Sequence, residues 1–327
     1  MKTMIARSMV LAIALFAAAA GLAQPAFRPG PAALKIDFPD PFLLEAEGEV
    51  VAYATNRSGG PNVQMAVSRD LKRWQRLPAD ALPDLPVWAS RGHTWAPEVL
   101  VVQAGGQTVY RLYFTARHAA SGLQCIGVAS SGTARGPFVP EAGPPLICQR
   151  EEGGSIDASP FRAPDGQLTL LFKNDGNHVG RRTRIYAQPL SADGLRVERQ
   201  AVPLLTNDAP WERHVVEAPT MVHRENVYWL FFSANDYGWP RGAATSPYAI
   251  GAARCDGPLG PCRDLPQNPL LASGPAAGGC RSGPGHQAIL EHGGESILAY
   301  HAWESGPGCT PLGPRRFMHI GRITWGG

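Results

Sequence analysis

Charged residues are scarce in this chain of 327 residues, at 17% of the total against roughly 25% in an ordinary globular domain. Lys and Arg form no block beyond isolated pairs such as Arg181-Arg182 and Arg315-Arg316. A nucleic-acid-binding surface needs clustered cations to neutralise phosphates. We therefore expect no nucleic-acid partner, and the composition argues against coiled coils and acidic tails.

Long hydrophobic runs are absent after residue 23. The first 23 residues begin with the positive charges of Lys2 and Arg7 and continue with an apolar run, Met9 to Ala20, that is short for a bilayer. This order predicts a secretory signal peptide over residues 1–23 and a mature domain over residues 24–327. Cleavage removes two positive charges and lowers the formal net charge from +3 to +1. We expect a secreted or periplasmic protein without membrane contact after cleavage; a retained N-terminal anchor is the alternative.

Zinc-type cysteine motifs are also missing, although the chain has six cysteines. An even number in an exported protein suggests disulfides, with 15 complete pairings possible for six cysteines. The spacing of Cys255 and Cys262 could close one tight turn. Cys280–Cys309 and Cys125–Cys148 are then the economical remaining pairs, and free buried thiols are the alternative.

Glycine and proline, in contrast, are abundant, with 37 and 31 residues that make up about a fifth of the chain. Average usage is roughly 12%. Disorder does not explain this excess, because 44% of the residues are hydrophobic and can form a large core. The composition indicates many short elements joined by turns.

Apolar, strand-like runs recur about every sixty residues, and helical periodicity is not sustained after the first segment. Their aromatic markers are separated by 60, 59, 60 and 68 residues and are Tyr53, Tyr113, Phe172, Phe232 and Tyr300. Units of this length cannot bury their faces alone, but five of them can when they are arranged radially. The period therefore predicts an all-β, five-bladed β-propeller as a single domain. A β-sandwich with a second domain is the alternative.

A further short segment lies 13 to 18 residues before each aromatic marker, and each segment begins with a residue that could take part in catalysis or binding. Aligning the five segments places these residues at corresponding positions: Asp40, Trp95, Asp157, Glu217 and His286. The first strand of each propeller blade lines the central channel, so equivalent positions converge on the axis. Three acids that each open an apolar strand would be costly to bury without pairing or function.

The same segments resemble glycoside hydrolase family 43, whose members are five-bladed propellers that cleave arabinose- and xylose-containing polysaccharides. The resemblance runs from about residue 35 to the end of the chain. The matching motifs are Phe38-Pro39-Asp40-Pro41, Trp95-Ala96-Pro97-Glu98, Ser155-Ile156-Asp157-Ala158-Ser159-Pro160, Val216-Glu217-Ala218-Pro219 and Gly283-Pro284-Gly285-His286.

This resemblance implies Asp40 as general base and Glu217 as general acid. Asp157 would orient Glu217 and raise its pKa. Inverting hydrolysis needs one carboxylate to deprotonate water and one carboxylic acid to protonate the leaving oxygen, roughly 6.5–9.5 Å apart. We prefer Asp40 over the nearby Asp37 because Asp40 opens the apolar strand and precedes Pro41, as in the family.

Further residues are candidates for contacts with the sugar. Trp95 would supply an aromatic wall, the resemblance assigns Arg316 to the substrate, and Phe42 lies next to the first motif. Asn174 and Asn235 stand in polar loops that follow marker strands. We expect His286 near the channel centre, where a structural calcium could bind at it directly or through water, and we expect no required cofactor.

The leading hypothesis is thus an exported, monomeric, inverting glycosidase that acts on arabinan, arabinoxylan or their oligosaccharides. A sugar-binding propeller that has lost catalysis is the second hypothesis. A retaining fructan-processing enzyme is the third. It is disfavoured because its Arg-Asp-Pro and Glu-Cys motifs are replaced by Ile156-Asp157-Ala158 and Val216-Glu217-Ala218.

Overall fold

The computed structural model describes residues 24–276 and 279–326, and their regular secondary structure is almost entirely β-strand. The predicted signal peptide lies outside the described residues. Short 3-10 helices are found at Arg150–Glu152, Gly176–Val179 and Pro307–Cys309. No helix in the described ranges has the length and apolar character needed to cross a membrane. The first two strands are β1 (Pro25–Arg28) and β2 (Ala32–Leu34).

The next sixteen strands form four antiparallel blades in which consecutive strands are neighbours. Blade one contains β3 (Phe42–Ala46), β4 (Glu49–Ala54), β5 (Gln64–Ser68) and β6 (Gln75–Leu77). Blade two contains β7 (Ala89–Ala104), β8 (Gln107–His118), β9 (Gln124–Ser131) and β10 (Val139–Pro140). Blade three contains β11 (Ser155–Arg162), β12 (Leu168–Asn174), β13 (Arg184–Leu190) and β14 (Val202–Thr206). Blade four contains β15 (Val216–Arg224), β16 (Val227–Ala234), β17 (Ala249–Cys255) and β18 (Cys262–Asp264).

The fifth blade joins the two ends of the chain. It contains β19 (Gly274–Ala276), β20 (Gly279–His292), β21 (Glu295–Ser305) and β22 (Pro311–Trp325). Strand β1 pairs with β22 as the outermost strand of this blade, and β2 also pairs with β22. The N-terminal strand therefore closes the ring, and the predicted five-bladed propeller is confirmed.

Five hydrophobic clusters fill the spaces between neighbouring blades. All five aromatic markers are completely buried in or beside these clusters. Tyr113 packs toward blade three with Phe172, whereas its neighbour Phe114 packs toward blade one with Tyr53. Successive side chains of a strand point to opposite faces, so each marker strand serves two interfaces. This alternation explains why the markers lie in continuous apolar runs.

One residue within the innermost strand of blades two to five, and one residue just before that of blade one, has a positive φ, between 47° and 58°. Each of these residues donates its backbone N–H to a side chain of the preceding blade, an arrangement we call the inter-blade ring. The donors and acceptors are Asp40 to His301 Nδ1 (3.1 Å), Ala96 to Thr55 Oγ1 (2.9 Å), Asp157 to Thr115 Oγ1 (3.2 Å), Ala218 to Asp157 Oδ2 (3.0 Å) and His286 to Ser233 Oγ (2.8 Å).

The inter-blade ring corrects the alignment of blade starts. The equivalents of Asp40 are Ala96 and Ala218, so the alignment was wrong by one residue at Trp95 and at Glu217. The alignment matched Glu217 with the other acids and ignored the prolines. Pro41, Pro97 and Pro219 give the correct register, because each directly follows the ring residue of its blade. In blades two to five, the ring residue and the next residue form a bulge that has no ladder partner.

Three disulfides involve all six cysteines, in the pairings that the spacing favours. Cys255–Cys262 joins opposed residues of β17 and β18. Cys125–Cys148 links β9 to the segment that precedes blade three. Cys280–Cys309 links β20 to the 3-10 helix before β22.

The inter-blade ring can be tested at Thr115, which is completely buried. Thr115→Val should lower the free energy of unfolding by about 1–3 kcal/mol, because the buried N–H of Asp157 loses its acceptor. The control Thr169→Val changes another buried strand threonine whose hydroxyl has no hydrogen bond among the described residues. It should change the free energy by less than about 0.5 kcal/mol. Denaturant unfolding measures both, and equal losses would contradict a special role of the ring.

Candidate active site

One cavity of about 380 Å³ receives residues from all five blades. It brings together the three predicted acids, Asp40, Asp157 and Glu217, with the predicted Trp95, His286 and Arg316. The other lining residues are Thr55, Ile156, Lys173, Asp175, Asn177, His178, Tyr237, Tyr248 and His301. The cavity is therefore the candidate active site.

Asp40 is nearly buried and lies in a cationic environment. Its Oδ1 is 3.3 Å from Arg316 Nη1, 3.1 Å from His301 Nδ1 and 3.5 Å from His286 Nδ1. Its Oδ2 accepts a hydrogen bond from the Thr55 hydroxyl. Burial raises the pKa of Asp40, but the charges of Arg316 and His286 outweigh burial and hold the pKa well below its usual value. Asp40 is thus held as a carboxylate.

His301 behaves differently although it touches the same carboxylate. Burial and the charge of Arg316 together lower the pKa of His301 to about 4, against the opposing effect of Asp40. The ring is therefore neutral at neutral pH, and its Nδ1 accepts the backbone N–H of Asp40. His301 fixes the backbone of Asp40 rather than neutralising its charge.

Asp157 has an acidic environment. Burial and the charges of Glu217 and Asp40 together raise the pKa of Asp157 to about 6, against the opposing effects of His286 and Lys173. Its Oδ2 accepts the backbone N–H of Ala218, the residue that follows Glu217. Asp157 therefore fixes the backbone position from which Glu217 projects.

Both oxygens of Glu217 have a hydrogen-bond donor. Lys173 Nζ lies 3.1 Å from Oε2, and the Tyr248 hydroxyl donates to Oε1 at 2.6 Å. Lys173 is completely buried; burial lowers its pKa, but Glu217, Asp157 and Asp175 outweigh this effect and raise it. Burial and the charge of Glu217 raise the pKa of Tyr248, so the hydroxyl keeps its proton. These two donors are placed to stabilise a negative charge on the Glu217 carboxyl group.

Aromatic rings surround the cationic part of the cavity. The Arg316 guanidinium lies 6.0 Å from the ring centroid of Tyr237 and 5.7 Å from that of Trp303. Trp303 donates its indole N–H to the Tyr237 carbonyl. Trp95 lies in the cavity wall in edge contact with His93. Such partly exposed rings are suited to stacking against a sugar face.

The match to a family model decides the relationship of this chain. The model of glycosyl hydrolases family 43 matches residues 32–327. The chain belongs to glycosyl hydrolases family 43, a family of glycosidases.

Similar proteins agree with this assignment. A β-D-galactofuranosidase of Aspergillus niger is 26% identical over 72% of this chain, which spans 64% of that protein. A probable arabinan endo-1,5-α-L-arabinosidase A of Aspergillus fumigatus is 27% identical over 84% of this chain and 80% of that protein. The solved structure of a thermostable family-43 glycoside hydrolase has a TM-score of 0.76 and 26% identity, covering 92% of this chain and 96% of its own. An endo-1,4-β-xylanase from Bacteroides thetaiotaomicron has a TM-score of 0.71 and 27% identity, covering 90% and 97%.

Three residues predicted for this family-43 site lie outside the cavity. Phe42 packs in the core between blades one and two. Asn174 is completely buried, and its side chain accepts the N–H of Arg184 and donates to the carbonyl of Arg182. Asn235 donates its side-chain amide to the Trp211 carbonyl. The two asparagine side chains stabilise their own loops and already have hydrogen-bond partners there. The prediction that these three residues line the sugar site is corrected accordingly.

Neighbours of those asparagines line the cavity instead. Lys173 and Asp175 flank Asn174, and Tyr237 lies two residues after Asn235. Successive side chains in β-structure point to opposite sides, so backbone that directs Lys173 and Asp175 into the cavity directs Asn174 away from it. Tyr248 and His301 also line the cavity and were not predicted. Nothing in the local sequence distinguishes these two residues from core aromatics.

His286 lies in the cavity, and the predicted calcium can be tested against its surroundings. Calcium takes six to eight oxygen ligands. Among the described residues, His286 belongs to no group of three closely spaced His, Cys, Asp or Glu side chains that could hold a metal. Its Nδ1 faces Asp40 instead. A calcium ion at His286 would therefore take most of its ligands from water, and this ion stays a prediction that no step below uses.

The contact between Lys173 and Glu217 predicts a strong effect on stability. Lys173→Met should lower the free energy of unfolding by about 3–5 kcal/mol at pH 7, because the cluster of acids around this completely buried ammonium loses its cation. Adding Glu217→Gln should recover much of this loss. Denaturant unfolding measures the cycle, with the exposed Lys72→Met as a control that stays within about 0.5 kcal/mol. Additive losses in the double variant would contradict the ion pair.

The raised pKa of Asp157 predicts a pH dependence of stability. The folded protein keeps the Asp157 proton up to about pH 6, whereas an unfolded aspartate loses it near pH 3.9. Wild type should therefore lose on the order of 3 kcal/mol relative to Asp157→Asn as the pH rises from about 4 to 6. Unfolding free energies at pH 4, 5, 6 and 7 measure the difference. A difference that is constant, or that changes in favour of wild type, would contradict the raised pKa.

Proposed function

We propose that this family-43 protein hydrolyses glycosidic bonds of arabinose- or xylose-containing glycans with inversion of configuration. The observation that carries the proposal is the gathering of Asp40, Asp157 and Glu217 in one cavity, each acid in a different electrostatic environment. Relatives named for action on arabinan, xylan and galactofuranosides support this class of substrate.

Asp40 acts as the general base in this proposal. A base must be ionised before the reaction, and the cations around Asp40 keep it so. It removes a proton from the water that attacks the anomeric carbon. Thr55, which donates to Oδ2, and His301, which holds the backbone, fix the direction of the carboxylate.

Glu217 acts as the general acid and protonates the leaving oxygen. The carboxylate that remains after this transfer is stabilised by the Lys173 ammonium and the Tyr248 hydroxyl. Asp157 has two roles in the proposal. It holds the backbone next to Glu217 through Ala218, and its charge disfavours a second charge nearby, which promotes the protonated form of Glu217.

Trp95, Tyr237 and Arg316 are proposed to contact the sugar, because their side chains line the same cavity as the acids. His286 is proposed as a polar contact near Asp40. We further propose that the protein is exported as a monomer after cleavage at residue 23. The three disulfides support export, because such bonds persist in oxidising compartments.

The two catalytic roles predict different responses to the leaving group. Asp40→Asn and Glu217→Gln should each lower kcat on arabino- or xylo-oligosaccharides by at least about 10³-fold, since each removes a proton-transfer group. On aryl glycosides with an acidic phenol as leaving group, Glu217→Gln should recover much of its rate, and Asp40→Asn should not. Asp37→Asn is the matched control. Asp37 accepts the backbone N–H of Arg316 and does not line the cavity, so this variant should stay within about tenfold of wild type.

Hydrolysis of a panel of pentose and galactofuranose glycans, followed by NMR of the first-formed sugar, tests the reaction itself. We expect hydrolysis with inversion. A retained anomeric configuration would contradict the single-displacement mechanism. Sugar binding without hydrolysis of any glycan would favour the non-catalytic propeller.

A further inference from the structure

Three acidic side chains meet outside the active-site cavity. Carboxylate oxygens of Asp208, Glu212 and Asp264 all lie within 4.8 Å of one another. Asp208 and Glu212 belong to the segment that connects blade three to blade four, and Asp264 ends β18, the outermost strand of blade four. The cluster therefore spans two parts of the chain that no backbone ladder joins among the described strands.

Two oxygens of this cluster have no hydrogen-bond partner. Glu212 is completely buried, and its Oε2 accepts the backbone N–H groups of Asp208 and Ala209, both at 2.8 Å. Its Oε1 is buried without a partner, as is Asp264 Oδ1. Buried carboxylate oxygens that face each other without a donor are costly. A cation between the oxygens, or a proton shared by the two carboxyl groups, would remove this cost.

The protein supplies no such cation within the described ranges. None of the three acids forms an ion pair with Lys, Arg or His there. Arg184 and Arg263 line the cavity beside Asp208 and Asp264, but Arg184 pairs with Glu152 and Arg263 pairs with Asp256. The two arginines of this cavity are thus paired with other acids.

We propose that Asp208, Glu212 and Asp264 bind a divalent cation of the hard, oxygen-preferring class, such as calcium. Carboxylate oxygens are the ligands that calcium prefers, and six to eight oxygens complete its coordination. Asp208 is exposed, which leaves one side of the cluster open for entry of the ion and for water ligands. Glu212 and Asp264 provide the less accessible side.

Such an ion would stabilise the segment that leads to the proposed general acid. The carbonyls of Glu212 and Val215 both accept the backbone N–H of Asn235, at 3.1 and 3.0 Å. Glu217 follows two residues after Val215. The cation ties this connecting segment to β18 and makes blade four more resistant to unfolding. The site does not depend on the proposed reaction, because none of its ligands lines the catalytic cavity.

Terbium provides a direct probe, because it takes calcium sites and is excited by energy transfer from a nearby tryptophan. Trp211 precedes Glu212 in the same segment. We expect wild type to give terbium luminescence that calcium displaces, and calcium to raise its Tm. Asp264→Asn and the exposed Asp208→Asn should each weaken terbium binding by about tenfold or more and reduce the calcium-dependent rise in Tm. The exposed Asp84→Asn should behave as wild type.

Two results would overturn the proposal. Unchanged terbium affinity and an unchanged calcium response in both variants would place the ion elsewhere, for instance at His286. No calcium or terbium response in wild type would show that Glu212 and Asp264 share a proton instead. Asp208→Asn keeps the test valid if Asp264→Asn fails to fold, because Asp208 is at the surface.

Discussion

The inter-blade ring is the constraint on which the rest of the structure depends. At the ring residue of each blade, which lies in a bulge in blades two to five, a backbone N–H is left that its own sheet does not satisfy, and a side chain of the preceding blade accepts it. The positive φ at these positions is unfavourable for residues other than glycine. Such backbone persists only where its surroundings fix it. Here each blade fixes the start of the next, so the five blades hold their inner strands in one relative position.

The active site is built from the same contacts. Asp157 is both a donor and an acceptor in the ring, and Asp40 is a donor whose acceptor is His301. Thr55 accepts the N–H of Ala96 and donates its own hydroxyl to Asp40. Side chains placed in this way lose little freedom when a ligand enters the cavity, because the fold already restrains them.

Opposite electrostatic environments give the acids of one cavity different roles. Arg316 and His286 surround Asp40, whereas Asp157 lies near Glu217 and is buried. The same residue type therefore carries a lowered pKa in one place and a raised pKa in the other. Lys173 adds a buried cation on the side of Glu217. Carboxyl groups whose pKa values are shifted in opposite directions within a single cavity are what acid–base chemistry by two carboxyl groups requires.

The sequence by itself determined the five repeats and their aromatic cores, because these features recur with a fixed period along the chain. It also predicted the three acids that line one cavity. It also favoured the three disulfide pairings, since the shortest spacings left few economical alternatives. It misjudged Asn174 and Asn235, whose polarity suggested substrate contact and whose side chains are used within their own loops. Only the tertiary structure decided that Lys173, Tyr248 and His301 surround the acids, and that Ala218 rather than Glu217 is the equivalent of Asp40. The reason is that these contacts join different blades, whose relative rotation is set by packing around the ring rather than by the local sequence.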